Sequence, residues 1–223
     1  MDVDSIQENG NKISFTAKGI SLPLANAVRR YSMNHLPILA INSITMYENS
    51  ASIFDEYIAH RIGLIPIKTP KNMPASAEVP FVLDAQGPKI VYSGDMKSSD
   101  SGIEVAEPQI PIIILTEGQS LRLEGKAVLG SGRKHAKFQA GIVAYEDKED
   151  GSFAFKAESF LQMGPREMLV RGCKLLEDDL EELADEVSSA GGEKRKKKKK
   201  SAEAAPKEKK EKKPRAKKAK KEE

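Results

Sequence analysis

The chain has 223 residues, of which 39% are hydrophobic and 31% are charged, and its formal net charge is +3. This length allows one or two globular domains, and the single cysteine excludes an internal disulfide and Cys-rich zinc or iron–sulfur sites. No stretch approaches the ~20 apolar residues that a membrane helix needs, and the polar, acidic start is unlike a signal peptide. These features predict an intracellular, cytoplasmic protein that is not attached to a membrane.

The positive charge is concentrated at the C-terminal end. Residues 191–223 contain 17 Lys or Arg and 6 Asp or Glu, whereas residues 1–190 contain 19 basic and 27 acidic side chains. The formal charge is therefore +11 for this tail and −8 for the rest. A self-repelling segment without large apolar side chains is predicted to be disordered. Two interpretations of it stay open, a solubilising appendage and a non-specific contact with nucleic-acid phosphates.

The first predicted elements are a strand at 13–17, where apolar and polar residues alternate, and a helix. Ser21 is placed to cap this helix, which has Pro23 in its first turn. Its apolar stripe follows the i, i+3, i+4, i+7 spacing and consists of Leu24, Ala27, Val28 and Tyr31. Arg29 and Arg30 lie beside the stripe, either as a solvated face or as a pair that holds carboxylates of a partner.

A strand over 38–48 comes next, and its alternation slips in the middle, which indicates a bulge. A short helix then follows. Ser52 with Asp55 three residues later resembles a capping box for this helix, and Gly63 is predicted to end it in the left-handed position.

The middle of the chain, from about 70 to 145, is rich in Pro, Gly and Ser between short alternating runs, which predicts a mainly β region. Its strands, with one more before the last helix, are predicted at 79–83, 89–92, 110–115, 121–128, 138–144 and 152–160. The segment 130–135 (GSGRKH) lacks the spacing of a phosphate loop, so a hairpin turn is the better interpretation.

Pro165 opens the longest predicted helix, which ends at the glycines 191–192. Its apolar residues are spaced alternately by four and three, as in a heptad seam, and are Leu169, Cys173, Leu176, Leu180, Leu183 and Val187. The stripe is narrower than that of most core helices, and acidic residues flank it. Spacing alone leaves two interpretations open. The helix is either an ordinary core helix or a helix that pairs with a single partner helix, and that partner helix can belong to another chain.

Catalytic and metal-binding patterns are missing from the sequence. His35, His60 and His135 have no ligand spacing among them, and no Ser-His-Asp or Cys-His arrangement has independent support. We therefore expect no catalytic residue, no metal and no cofactor. A small enzyme that uses the turn at 130–135 is a remote alternative.

Several blocks of sequence resemble the alpha-like assembly subunits of DNA-dependent RNA polymerase, most closely the archaeal D-type subunits. They lie at 24–30 (LANAVRR), 55–66 (DEYIAHRIGLIP), 91–96 (VYSGDM) with 110–112 (IPI), 130–138 (GSGRKHAKF) and 155–176. Each block is modest alone, but together they follow the order of the family and cover roughly residues 5–188.

The resemblance implies an α+β fold with a discontinuous dimerisation domain, built from 1–49 and 152–190, in which two helices pack on antiparallel strands. A mainly β domain over 50–151 is inserted into it, and the disordered basic tail occupies 191–223. Many archaeal relatives carry a Cys-rich domain with an iron–sulfur cluster, whereas this chain has a short polar turn at 146–151 in its place. The tail is not a standard part of the family.

The function implied by the resemblance is non-catalytic assembly of RNA polymerase, a nucleotidyltransferase complex, through heterodimerisation with subunit L. The residues implied to bind subunit L are Leu24, Val28, Tyr31, Leu169, Cys173, Leu176, Leu180, Leu183 and Val187. Arg30, with Arg29 beside it, matches the Arg that touches the large beta-like subunit in bacterial relatives. Subunits N and P join the same platform. The alternative is a free-standing nucleic-acid-binding protein that acts through its tail, which the acidic body disfavours.

Overall fold

The structure is a computed structural model that describes residues 1–190, so the disorder expected for 191–223 lies outside the described residues. Within 1–190 it contains three α-helices and ten β-strands. The helices are α1 (Leu22–Asn34), α2 (Asp55–Gly63) and α3 (Pro165–Ala190). The strands are β1 (Asp2–Asn9), β2 (Lys12–Lys18), β3 (Ile38–Asn49), β4 (Glu78–Gln86), β5 (Lys89–Tyr92), β6 (Lys97–Ser98), β7 (Pro111–Leu115), β8 (Ser120–Gly130), β9 (Gly141–Asp147) and β10 (Phe153–Ser159).

One antiparallel sheet has the strand order β1-β2-β10-β9. Side chains from one face of this sheet pack against α1, α3 and the loop before β9. We call this cluster the first core; it consists of Ile13, Ala17, Ala25, Leu36, Ile38, Ala40, Phe138, Ala140, Val143, Phe153, Phe155, Ala157, Met163, Met168 and Leu169. Within it, the rings of Phe15 and Phe155 stack across the paired strands with their centroids 4.9 Å apart.

A second antiparallel sheet has the order β3-β8-β4-β6, and β5 pairs with β7 in a two-stranded sheet beside it. Together with α2 these strands enclose a second core, whose members are Leu39, Ile41, Ile58, Ile62, Ile65, Ile67, Val79, Phe81, Leu83, Ala85, Val91, Met96, Ile103, Ile112, Ile113, Leu115, Leu121, Leu123 and Ala127. The mainly β character expected for the middle of the chain is confirmed.

Strand β3 is shared by the two cores. Ile38 and Ala40 belong to the first core, whereas Leu39 and Ile41 belong to the second. Successive side chains of a strand point to opposite faces, so a strand buried on both faces is continuously apolar, as this stretch is. The predicted bulge is confirmed, because the register with β8 shifts just after Ile41 and again before Glu48.

Strand β9 pairs with a strand that the sequence analysis assigns to the other domain. It lies inside the range 50–151 given to the inserted domain, yet it pairs with β10 along its whole length and joins the first sheet. Val143 on β9 is buried in the first core, and a Cβ on Gly141 would lie 2.2 Å from the carbonyl oxygen of Glu158. The close packing of β9 on β10 therefore brings the first sheet further into the middle of the sequence, while the domain limits themselves stay a prediction.

Of three predicted helix ends, the position of Ser21 is confirmed and the other two are wrong in detail. Ser21 is the N-cap of α1, but its side chain makes no capping hydrogen bond. The N-cap of α2 is Phe54 rather than Ser52, and the carboxylate of Asp55 accepts a hydrogen bond from Asn49 Nδ2 at 2.7 Å instead. Gly63 lies inside the last turn of α2, and the capping residue after it keeps a right-handed conformation.

The predicted hairpin at 130–135 is also wrong, since β8 and β9 belong to different sheets. The connection instead crosses between the sheets and contains a 3-10 turn at Ala136–Phe138. Phe138 is fully buried, and a Cβ on Gly130 would lie 2.8 Å from its ring. The Nζ atom of Lys137 donates hydrogen bonds to Ile41 O and to Asn42 Oδ1, both at 3.1 Å, which ties the connection to β3.

Candidate partner-binding surface

An apolar groove with a volume of ≈ 810 Å³ lies between α1 and α3. Its lining residues are Met1, Ile20, Leu24, Val28, Cys173, Leu176, Glu177, Leu180, Glu181 and Ala184. A second hollow continues it over the first sheet and adds Val3 and Ile6 from β1 and Val170 from α3. Every residue of β1 is exposed, so this edge of the first core is not covered by the described residues.

At one end of the groove, α1 and α3 approach closely. The contact is between Ser32 and Gly172, where a Cβ on the glycine would lie 2.4 Å from the serine Oγ and 2.7 Å from its Cα. Both residues are buried. Glycine is thus required here for the close approach of two backbones.

Tyr31 provides a polar link between the same helices. Its hydroxyl donates a hydrogen bond to Asp179 Oδ2 at 2.9 Å, and its ring stacks on His35 with the centroids 4.1 Å apart. The hydrogen bond to Asp179, followed by partial burial, raises the pKa of the Tyr31 phenol above its usual value. This contact fixes α3 beside the last turn of α1.

The heptad seam of α3 divides into two parts. Leu169 and Leu176 are buried against the chain's own fold, whereas the side chains of Leu180 and Leu183 are 53% and 54% exposed. Val187 is exposed as well. Leu169 therefore belongs to the first core, and Leu176 is a buried residue in the lining of the groove. The later part of the seam presents apolar side chains to solvent.

Among the other residues of the expected subunit L surface, Leu24 is exposed and Val28 is half-buried on the edge of the first core. Cys173 is a free, exposed cysteine, and partial burial raises the pKa of its thiol. Val170 is also strongly exposed at this surface. The sequence does not predict its place there, because Val170 lies outside the heptad spacing and only the position of β1 brings it into the surface.

The two adjacent arginines differ in their surroundings. Arg29 is half-buried and donates from Nε and Nη2 to Asn26 Oδ1, at 3.2 and 2.9 Å. Arg30 is exposed, and within residues 1–190 its guanidinium has no hydrogen-bond or ion-pair partner. Of these two arginines, Arg30 is therefore the one whose guanidinium can bind a carboxylate in bidentate geometry.

The described part of the chain brings no three potential metal ligands together. Within residues 1–190, no helix combines the length and apolar character needed to cross a bilayer.

Comparison with known proteins shows the family to which the chain belongs. The family model described as "RNA polymerase Rpb3/RpoA insert domain" matches residues 40–145. A protein from Methanocaldococcus jannaschii named "DNA-directed RNA polymerase subunit Rpo3" is 38% identical over 172 residues, which are 77% of this chain and 88% of the relative. The chain belongs to the Rpo3 family of RNA polymerase subunits. The resemblance to the archaeal D-type subunits is thereby confirmed.

The chain matches only part of the length of some other Rpo3 proteins. The protein of the same name from Thermococcus kodakarensis is 40% identical over 148 residues, 63% of this chain and 57% of the relative. That from Pyrococcus furiosus is 40% identical over 153 residues, 66% of this chain and 59% of the relative. The chain thus spans less than three fifths of these two relatives.

Proposed function

We propose that this chain is a non-catalytic assembly subunit of an archaeal-type DNA-directed RNA polymerase, and that it acts in the cytoplasm. The observation that carries the proposal is the apolar groove between α1 and α3, flanked by the exposed later part of the heptad seam, in a member of the Rpo3 family. An enzyme acting alone would need a cluster of reactive side chains instead. The proposal includes no cofactor, and the free Cys173 is given no catalytic role.

The groove and the seam are proposed to pair with subunit L, in a discontinuous dimerisation domain formed by the two ends of the folded chain. Leu180 and Leu183 present about half of their surface. Full burial of an exposed leucine contributes about 1.5–3 kcal/mol, so covering the remaining half contributes roughly half of that for each. β1 adds the exposed side chains of Val3 and Ile6 to this surface, and α1 adds that of Leu24. Subunits N and P and the large beta-like subunit are proposed to join afterwards.

The exposed Arg30 is proposed to contact the large beta-like subunit. Its guanidinium is free of partners within residues 1–190, in contrast to that of Arg29, which Asn26 holds. A partner carboxylate in bidentate geometry would satisfy it.

Co-expression with subunit L tests the heterodimer. We expect the wild-type chain to form a soluble 1:1 complex and the double variant Leu180→Asp/Leu183→Asp to lose it, because two charges would enter the interface. The matched control is Ile114→Asp, a change on β7 at a position that is 68% exposed. A chain that stays a well-behaved monomer in the presence of subunit L would refute the proposal.

A free-standing nucleic-acid-binding protein is the less favoured candidate. Its support is the +11 charge of residues 191–223, and the −8 charge of residues 1–190 opposes it. A polyanion contact by the tail is compatible with the assembly function as an addition to it.

A further inference from the structure

Acidic side chains are unevenly distributed along the folded part of the chain. All 27 acidic residues of 1–190 lie outside two stretches, 9–47 and 125–145, which together contain eight Lys or Arg. The first stretch includes α1, and the second includes the connection between β8 and β9. Positive charge is thus concentrated in two stretches of a body whose formal charge is −8.

The fold brings the two stretches together at the C-terminal end of α1. The backbone N–H of Arg133 donates to Asn34 O at 3.2 Å, and Gln139 Nε2 donates to Asn34 Oδ1 at 3.0 Å. The connection between β8 and β9 is therefore held against the last turn of α1, close to the exposed Arg30.

Arg30 and Arg133 lie on the same side of this junction. The hydrogen bond to Asp179 raises the pKa of the Tyr31 phenol, and the positive charges of Arg133 and Arg30 act on it in the opposite direction. Charges on a protein surface are screened over a distance of about 8–10 Å, so both guanidiniums lie near the Tyr31 hydroxyl. Asp179 carries a single negative charge, which does not balance two guanidiniums.

The next residues of the connection add further positive charge. Lys134 is exposed, whereas Lys137 is half-buried. Burial, followed by the charge of Lys134, lowers the pKa of Lys137, because the two ammonium groups repel each other. Eight other basic residues of 1–190 form ion pairs, but Arg30, Arg133, Lys134 and Lys137 pair with no carboxylate of the described residues. We call the exposed members, Arg30, Arg133 and Lys134, the cationic surface.

The fold of the chain does not account for this concentration of charge. The C-terminal end of a helix carries roughly half a negative elementary charge, which one cation already balances at the end of α1. Additional like charges repel one another and lower the stability of the compact state. Three exposed cations at one place therefore indicate an anionic group that another molecule provides.

Carboxylates of a protein match the cationic surface better than the phosphates of a nucleic acid. A nucleic acid carries negative charge along its whole length, so an extended strand bound here would also cross the acidic remainder of the body. A short segment with several neighbouring carboxylates meets the cationic surface alone. Both guanidiniums can bind such carboxylates in bidentate geometry.

We propose that Arg133 and Lys134 extend the site of Arg30 into a docking surface for a short acidic segment of another protein, which belongs to the same subunit as the carboxylate that Arg30 binds. The proposal rests on the assembly function proposed above. Exposed charges at an interface act mainly on the rate of association and on its salt dependence. The cationic surface therefore guides this subunit to the heterodimer.

The test uses the heterodimer of the full chain with subunit L, to which the remaining polymerase subunits are added separately. The variant is Arg133→Gln/Lys134→Gln. Its matched control is Lys97→Gln/Lys148→Gln, which removes the same charge from two exposed lysines that form no ion pair within residues 1–190. We expect the variant to slow association with one subunit about tenfold at low salt and to flatten the salt dependence of that rate. Its melting temperature should equal that of the control, and the subunit should be the one that Arg30→Ala affects.

A second measurement locates the carboxylates directly. Carbodiimide joins an amine to a carboxylate in contact with it, so in the assembled wild-type enzyme it should link Lys134 to an Asp or Glu of that subunit. Equal association rates for the variant and the control would refute the proposal, as would a Lys134 that is linked only within its own chain. Weaker retention of a short single-stranded DNA by the variant, with every subunit association unchanged, would refute it in favour of a nucleic acid. Each of these results leaves the assembly function intact, whereas failure of the wild-type chain to bind subunit L would refute that function and this proposal with it.

Discussion

The two cores of this protein differ in how completely the chain closes them. The second core is enclosed by β3, β8, β4 and α2, together with the small β5–β7 sheet, and its largest member, Phe81, is fully buried. The first core has a comparable interior around Phe155, but along α1, α3 and β1 it continues into an open apolar groove. The difference teaches that the described residues close one core completely, whereas they leave an apolar surface open on the other, the surface proposed above to bind subunit L.

The largest expected effect tests the closed core. Phe81→Ala should destabilise the chain by ~3–5 kcal/mol, the usual cost of removing a buried aromatic side chain and leaving a cavity. The loss should be the same with and without subunit L, because the second core does not border the groove. Urea unfolding of the chain and of the heterodimer measures both values. A loss that subunit L largely offsets would mean that the two cores are not independent.

Removal of the free guanidinium should affect assembly without affecting the fold. Arg30→Ala is expected to leave the heterodimer intact and to weaken capture of the large beta-like subunit by ~2–5 kcal/mol, the typical loss for a truncated charge partner at an interface. Arg29→Ala is the control, since Asn26 already binds that side chain. Affinity measurements on the purified heterodimers compare them. An Arg30→Ala chain that no longer pairs with subunit L would identify Arg30 as a folding residue.

A substitution where α1 and α3 approach closely should lower the stability of the first core and weaken binding of subunit L. In Gly172→Ala, helix propensity favours alanine by roughly 0.5–1 kcal/mol, but the new Cβ would lie 2.7 Å from a backbone atom of Ser32. Overpacking of this kind costs ~1–3 kcal/mol, so we expect a net loss in stability and weaker binding of subunit L. Thermal melts check this against Gly102→Ala, where the added Cβ makes an ordinary 3.4 Å contact. Equal melting temperatures would show that the helices can separate without cost.

The hydrogen bond between the helices should give a smaller and pH-dependent effect. Tyr31→Phe removes the donor to Asp179 and should cost ~0.5–1.5 kcal/mol at neutral pH. Because the pKa of Tyr31 is raised in the folded state, this contribution is fully present below the ordinary tyrosine pKa of about 10 and is lost as the pH rises through the raised value. Unfolding of both proteins between pH 7 and 11 measures it. A difference that shows no decline above pH 10 would contradict the assigned role.

The smallest expected effect on assembly comes from the tail. Truncation after Ala190 should leave binding of subunit L unchanged and flatten the salt dependence of DNA retention by the assembled enzyme. Each phosphate neutralised on duplex DNA contributes about −0.9 to the logarithmic salt slope. Retention measured from low to high salt compares full-length and truncated enzymes. An unchanged slope would leave the tail only a solubilising role.

The sequence predicts those elements whose apolar residues recur with a regular period because one face is buried in a core. The continuous apolar start of β3, its bulge and the long α3 all follow from spacing. Strand β1 is not predicted because its pairing with β2 shifts between Asp4 and Gln7, with Ser5 at φ = +56°, and this irregularity breaks the alternation that marks a strand. The hairpin predicted at 130–135 is wrong because turn residues do not show which sheet the next strand joins.

The candidate surface was only partly predictable for a related reason. Spacing identifies the seam of α3, but it cannot show that Leu176 packs inward while Leu180 stays exposed. That division depends on how far α1 and the first sheet extend along α3. Their contacts with α3 join segments that are distant in sequence, and spacing within α3 does not show them.

The shared strand β3 also restricts how the length of this protein can change over evolution. Adding or deleting one residue between Ile38 and Ile41 would shift the alternation and exchange the residues that belong to the two cores. Bulges absorb an extra residue without this exchange, and β3 has register shifts only beyond Ile41. Relatives with insertions or deletions in β3 should therefore carry them near Ser43 or Tyr47. The stretch that corresponds to residues 38–41 should have the same number of residues in all of them.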